Sequence, residues 1–245
     1  MFKKIIFFIL MTAVLSGCNA LPEQRIIQAP IHEIATANPD EPETEVYQNY
    51  TFSEDDELFL ASCIFIGDSI FGNLTDIGIL RAEQVFFGNG LKVSDIANTR
   101  FPLPSGDGET YLLTALVNHN PENVILLLGT NDVTVTAPES FAAEYVKLIS
   151  FIKTYCPDTI ITVLSITPVN RESGNLTNDI INEYNSIIRT ALRELGDTNV
   201  RFLDLASELK NSHGRLKSRF AQDDGVHLTA QGLHAILWVI CNNMN

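Results

Sequence analysis

Five short runs of largely apolar, β-branched residues constrain this chain more than any other feature: Cys63 to Ile66, Gln84 to Phe87, Asn123 to Leu128, Thr159 to Ile166 and Val200 to Leu205. A strand that alternates apolar and polar residues has one wet face, whereas a strand apolar on consecutive residues is buried on both, as in a parallel sheet covered by helices. The segments between the runs carry helical periodicity. Phe141, Tyr145, Leu148, Ile149 and Ile152 fall on one stripe, introduced by Thr136 and Glu139 at capping-box spacing. Ile180, Tyr184, Ile187, Ile188, Ala191 and Leu195 form a second stripe. A last helix is predicted to start near Thr229 and run through Leu233, Ile236, Leu237 and Ile240. Strands alternating with helices predict an α/β domain with a mostly parallel, doubly wound sheet.

In such sheets ligands bind beyond the carboxyl ends of the strands. Ser69 lies three residues past Ile66, Gly90 three past Phe87 and Asn131 three past Leu128, which sets all three along one rim. Near the C-terminus, Asp223, Asp224, Gly225, Val226, His227, Leu228 and Thr229 lead into the last helix. A serine hydroxyl is a poor nucleophile until a base takes its proton, and an imidazole held in one tautomer by a carboxylate is the usual solution. Asp224 and His227 are three apart, so in a helical-type turn the carboxylate reaches Nδ1 and leaves Nε2 for Ser69. Gly225 makes such a turn cheap. An acyl-transfer intermediate also needs preorganised donors for its oxyanion. The sequence offers the Ser69 N–H, a glycine N–H from Gly88 or Gly90, and the Asn131 amide, the shared three-residue offset favouring Gly90.

Each fragment alone has a plainer reading. Gly67, Asp68 and Ser69 suit a turn and helix cap, Asn131 and Asp132 are turn formers, and Asp224 with His227 suits a surface pair. Their appearance together, in order, each after the element that places it at one rim, selects the catalytic reading. Asp68 and Asp132 are read as structural, bonding neighbouring backbone N–H groups. His32, His119, His213 and His234 take linker, turn, loop and helix-surface readings. No metal and no organic cofactor is expected, since Asp223, Asp224 and His227 lack a further ligand at suitable spacing. The stretch from Thr99 to Glu109 either rims the pocket or is merely a long connection.

At the other end, Lys3 and Lys4 precede an apolar run from Ile5 to Leu15, too short for the roughly 20 residues of a membrane-spanning helix. Leu15, Ser16, Gly17 and Cys18 resemble the lipobox of bacterial lipoproteins, which implies cleavage before Cys18 and lipidation of its thiol. Residues 1–17 are therefore read as a lipoprotein signal peptide, 18–50 as the lipidated cysteine with an acidic, proline-containing linker, and 51–245 as the folded domain. From Asn19 to Leu60 there are ten acidic residues to one basic, and within it Asn19 to Tyr50, with Pro22, Pro30, Pro39 and Pro42, cannot bury enough apolar surface to offset its ordering entropy. The net charge of −14 repels phosphate backbones and anionic headgroups, so no nucleic-acid partner is expected and the contact with a lipid bilayer falls to the acyl chains. Cys63, Cys156 and Cys241 read as buried small hydrophobes, with a disulfide among them left open.

Three blocks resemble a known family. Ile64, Phe65, Ile66, Gly67, Asp68, Ser69, Ile70, then Leu128, Gly129, Thr130, Asn131, Asp132, then Asp224, Gly225, Val226, His227, Leu228, Thr229 look like the first, third and last blocks of the SGNH hydrolases, the GDSL-like lipase/acylhydrolase superfamily. The resemblance covers residues 59–244. It implies a flavodoxin-like three-layer sandwich with a five-stranded parallel sheet in the order 2-1-3-4-5. It also implies Ser69 as nucleophile, His227 as base and Asp224 as its orienter, with Ser69, Gly90 and Asn131 forming the oxyanion hole. The second block departs from the pattern, since Gly88, Asn89, Gly90 and Leu91 offer two glycines, and Ile70 stands where many members have leucine. No Gly-x-Ser-x-Gly elbow surrounds Ser69, which disfavours the α/β-hydrolase fold.

The expectation is an extracytoplasmic, lipid-anchored serine esterase that cleaves short acyl esters, acetyl first, on a small-molecule or glycan substrate. One alternative is a lysophospholipase or thioesterase, with Phe71, Leu74 and Ile77 lining a longer pocket. The other is a non-catalytic, glycan-binding lipoprotein.

Overall fold

The structure is a computed structural model that describes residues 51–244. The expected signal peptide, Cys18 and the linker lie outside the described residues. Strands β1 (Cys63–Gly67), β2 (Val85–Phe87), β3 (Asn123–Leu127), β4 (Ile160–Leu164) and β5 (Val200–Leu203) form one parallel sheet in the order β2-β1-β3-β4-β5. This is the expected 2-1-3-4-5 arrangement. Gly67 stands opposite Phe87 on one side and Leu127 on the other, so β1, β2 and β3 end level with one another. The segments that follow those three strands therefore leave from one rim.

The consecutive apolar residues are explained by two cores. Ile64 and Ile66 of β1, with Val124 and Leu126 of β3, face α2 (Leu112–His119), α3 (Pro138–Tyr155) and α4 (Asn178–Leu195). Cys63 and Phe65, with Ile125 and Leu127, face α1 (Glu54–Ala61), α5 (Leu205–Leu209) and α6 (Ala230–Met244). Successive side chains point to opposite faces, so a strand with a helical layer on each side has no wet position. Leu126 is fully buried, and its truncation to alanine would cost about 2–5 kcal/mol.

Several local expectations need correction. The capping box at the start of α3 does not form: Ala137 is the N-cap and Pro138 the first helical residue, while the Thr136 hydroxyl donates to Asp132 Oδ1 at 3.3 Å. The buried stripe of α4 is centred on Ile181, Tyr184, Ile188 and Leu192, rotated from the one read by hydropathy. Two asparagines on this helix cause the rotation by turning inward. Asn185 accepts from the Ile166 N–H at 2.7 Å and donates to its carbonyl at 3.0 Å; Asn178 does the same for Val169, at 2.9 Å each way. A buried polar side chain is tolerable when paired in this way, and here it holds the backbone beyond β4. The stretch after Thr99 is an antiparallel hairpin, Arg100–Pro102 against Glu109–Tyr111, closed by Leu103 N–H to Gly108 O at 2.9 Å. His119 ends α2, its ring edge-on to Phe86. Cys63, Cys156 and Cys241 are free, buried thiols.

Candidate active site

Beyond β1 the chain turns at Asp68, whose N–H donates to Leu127 O at 3.2 Å and whose Oδ1 accepts the N–H of Ile70 at 3.0 Å. Asp68 thus caps the short 3₁₀ turn Ser69–Phe71, and the Ser69 hydroxyl is left for other work. Ser69 Oγ lies 3.0 Å from His227 Nε2, and His227 Nδ1 lies 2.6 Å from Asp224 Oδ2. The three side chains singled out from the sequence therefore form one continuous line, across a separation of 158 residues between Ser69 and His227.

The turn that carries the pair is fixed from within. Asp224 Oδ1 accepts the N–H of Val226 at 2.8 Å and of His227 at 2.9 Å. Gly225 has φ of 77°, and a Cβ there would sit 2.7 Å from the Cβ of Arg171, so the position demands glycine. Burial pushes the Asp224 carboxyl up, but the bonds from the His227 ring and from the two backbone N–H groups outweigh it and hold the group down at about 2. It is a carboxylate at any working pH. It keeps the imidazole proton on Nδ1 and presents Nε2 to Ser69 as an acceptor.

The residues read from the sequence as oxyanion donors lie in the neighbouring loops. Gly88 N–H donates to Gly67 O at 3.3 Å and so extends the sheet, whereas Gly90, at φ of 69°, lies in the loop beyond. Asn131 Nδ2 donates one hydrogen to Leu91 O at 3.1 Å, which pins the amide beside that loop and leaves its second N–H unspent among the described residues.

Asp68 and Asp132 do more than their sequence reading assigned. Asp68 Oδ2 also accepts the Thr130 N–H at 3.2 Å, tying the loop after β1 to the loop after β3. Asp132 Oδ2 accepts the Val93 N–H at 3.2 Å, tying the β3 loop to the β2 loop. The partners are 62 and 39 residues away in sequence, which no local pattern displays. Both carboxyls are essentially inaccessible, at 0% and 1%. Burial pushes each up to about 6, against the opposing pull of the donated N–H and hydroxyl groups. The available signal was position: each aspartate adjoins a candidate residue at a buried strand end, where a carboxylate needs donors.

A cleft of about 280 Å³ opens over this line, walled by Ser69, His227, Asn73, Asn89, Gln222 and Phe87 among others. Phe71 and Leu74 are fully buried in the core beneath.

The profile of the GDSL-like Lipase/Acylhydrolase family matches residues 65–235, a span that holds Ser69, Gly90, Asn131, Asp224 and His227. The chain belongs to that family. Solved structures agree on the fold. The GDSL-like acylhydrolase superimposes on a family 3 carbohydrate esterase from Talaromyces cellulolyticus with a TM-score of 0.54 at 18% identity, covering 74% of this chain and 95% of that one. For a GDSL-like lipase from Bacteroides thetaiotaomicron the values are 0.55, 14%, 80% and 92%. For a Clostridium thermocellum family 3 carbohydrate esterase they are 0.52, 19%, 72% and 91%. None of the curated proteins matches the chain. Residues 3–19 match the prokaryotic membrane lipoprotein lipid attachment site. Among the described residues no helix is long and apolar enough to cross a membrane. Family membership supports a hydrolase; the acyl group and the alcohol are set by the site.

Proposed function

We propose that this GDSL-like acylhydrolase is a serine esterase that removes short acyl groups, acetyl foremost, from the hydroxyls of a glycan outside the cytoplasm. The observation that carries the reading is the unbroken line from Asp224 through the His227 ring to Ser69 Oγ, with His227 and Ser69 lining one cleft. His227 Nε2 takes the Ser69 proton as Oγ attacks the ester carbonyl. The developing oxyanion is met by the N–H groups of Ser69 and Gly90 and by the Asn131 amide. Gly90 is preferred to Gly88 because the Gly88 N–H is already given to Gly67. The intermediate collapses to an acyl-serine as His227 returns its proton to the leaving alkoxide. Water, deprotonated by the same nitrogen, then attacks the acyl-enzyme, releasing the acid and restoring Ser69.

Size and lining favour a short acyl group on a sugar. About 280 Å³ is just below the roughly 300–1,000 Å³ of drug-sized pockets. Asn73, Asn89 and Gln222 supply uncharged donors and acceptors suited to hydroxyls, and Phe87 offers an exposed aromatic face for a sugar ring. A long acyl chain would want an apolar channel, and Phe71 and Leu74 are spent in the core.

The match at residues 3–19 supports tethering through a lipidated Cys18, each buried CH₂ of its chains contributing roughly 0.8 kcal/mol. The test of the chemistry is the p-nitrophenyl ester series from acetate to octanoate, together with fluorophosphonate labelling. Rates falling with chain length and an adduct on Ser69 are expected. A steep rise toward octanoate would transfer the enzyme to the long-chain acylhydrolases, and no adduct would leave a glycan binder. Loss of labelled palmitate from Cys18→Ala tests the anchor.

A further inference from the structure

A second cavity, of about 620 Å³, is lined by Asn170, Asn211, His213, Arg215 and Ser218. It adjoins the turn that bears Asp224 and His227, since the Asn170 N–H donates to Gly225 O at 2.8 Å. Its walls are built by their own hydrogen bonds. Asn211 Oδ1 accepts the N–H groups of His213 at 2.9 Å and Arg215 at 3.1 Å, and its own N–H donates to Arg215 O at 2.8 Å. Asn170 Nδ2 donates to Leu216 O at 2.8 Å and to Ser218 Oγ at 3.2 Å.

What is left to face the cavity is rich in donors: the Arg215 guanidinium, the His213 ring, the Asn211 amide and the Ser218 hydroxyl. Among the described residues neither the guanidinium nor the His213 ring enters an ion pair or a side-chain hydrogen bond. Charge follows the same pattern. From Leu209 to Gln222 there are Lys210, Arg215, Lys217 and Arg219 and no acidic residue, in a chain of 30 acidic to 16 basic. A guanidinium fork matches a carboxylate or phosphate bidentately, and Arg215 brings that fork to the cavity wall.

We propose that this cavity binds a carboxylate or phosphate carried on the substrate, so that the enzyme acts by preference on an acidic glycan. The link to turnover rests on the esterase reading; the binding does not. In that arrangement the anion holds the alcohol half of the ester while its acyl group lies over Ser69.

The test is calorimetric titration of the full chain with non-acetylated trigalacturonate, its neutral counterpart galactotriose, and glycerol 3-phosphate. Binding of at least one anion is expected, weakening as salt is raised, with no comparable binding of galactotriose. Trigalacturonate alone points to a uronate, glycerol phosphate alone to a phosphate, and both to their shared chemistry. Arg215→Gln weakens the bound anion at least about tenfold with Tm preserved, and His213→Gln weakens it less. On acetylated oligosaccharides, Arg215→Gln lowers the ratio of kcat/KM for the acidic over the neutral substrate by a similar factor, through KM. Galactotriose binding as tightly as the anions, no binding of either anion, or indifference to both substitutions overturns the proposal. Hydrolysis of p-nitrophenyl acetate without anion binding sinks the cavity alone; anion binding without hydrolysis sinks the esterase reading alone.

Discussion

Replacing Asp224 by asparagine keeps the shape of the side chain and changes which atoms accept. Oδ1 receives two backbone N–H groups at 2.8 and 2.9 Å, and Oδ2 faces His227 Nδ1 at 2.6 Å. The amide oxygen must stay on the backbone donors, because turning the NH₂ toward them would oppose donor to donor. The NH₂ then points at Nδ1, which can meet it only as an acceptor. The ring proton moves to Nε2, 3.0 Å from Ser69 Oγ, and donates to the hydroxyl it ought to deprotonate. In triads of this geometry that change costs about 10⁴ in kcat, which is about 5 kcal/mol of barrier.

The fold should barely notice. The Asp224 side chain is 48% exposed, and the amide oxygen retains the turn's internal bonds. The folded group lies at about 2, below its unfolded value, so the stability tied to its ionisation is complete above about pH 4 and is lost only as pH falls through about 2. Near neutrality Tm should move by only a few degrees. Steady-state kinetics on p-nitrophenyl acetate, with a melt followed by circular dichroism, give both quantities. A variant within about tenfold of the parent kcat, with unchanged Tm, would refute the tautomer argument and require another group to orient His227.

Ser69→Ala should abolish turnover with Tm nearly unchanged, since the cap of the 3₁₀ turn is Asp68; loss of a true cap would lower Tm by about 2–4 °C. Asn131→Ala removes one proposed oxyanion donor and should lower kcat about 10²- to 10³-fold with little change in KM, and an effect confined to KM would argue against that role. Asp68 and Asp132, raised to about 6 by burial, bind protons more readily folded than unfolded. Their contribution therefore makes the protein more stable as pH falls from 7 to 5, by about 1 kcal/mol each, an increment that Asp68→Asn and Asp132→Asn should each lose. Asp68→Asn should also slow turnover, because Ile70 and Thr130 donate to different oxygens of the carboxylate and the amide puts an NH₂ in place of one of them. Full activity in that variant would show that the Thr130 bond does not hold Asn131 in place.

The sheet was legible because a parallel strand between two helical layers has no wet face, and that leaves its mark on Cys63–Ile66 of β1 and on Val124–Leu127 of β3. The rim was legible for a related reason: β1, β2 and β3 end in register, so the residues that follow them gather at one edge, although Ser69, Gly90 and Asn131 lie two, three and four residues past Gly67, Phe87 and Leu127 and not at the single offset read from the sequence. Contacts between distant segments left no such trace. The bond from Asp68 to Thr130, like that from Asp132 to Val93, joins loops through groups that look like ordinary turn formers. Thr136 failed as a cap because its hydroxyl is engaged by Asp132 and its carbonyl by the Tyr184 hydroxyl, both tertiary contacts. Hydropathy misplaced the stripe of α4 because Asn178 and Asn185 are polar by composition and inward by partnership.

The three thiols of the folded domain bear on how the protein can be made and marked. Burial pushes Cys63 up to about 12 and raises Cys156 and Cys241 as well. Little thiolate is then present near neutrality, and the buried sulfurs are slow to exchange with disulfides or to react with maleimide. Once folded, the protein should therefore leave these thiols unlabelled, and a single cysteine introduced at an exposed position such as Val135 would take a fluorophore alone.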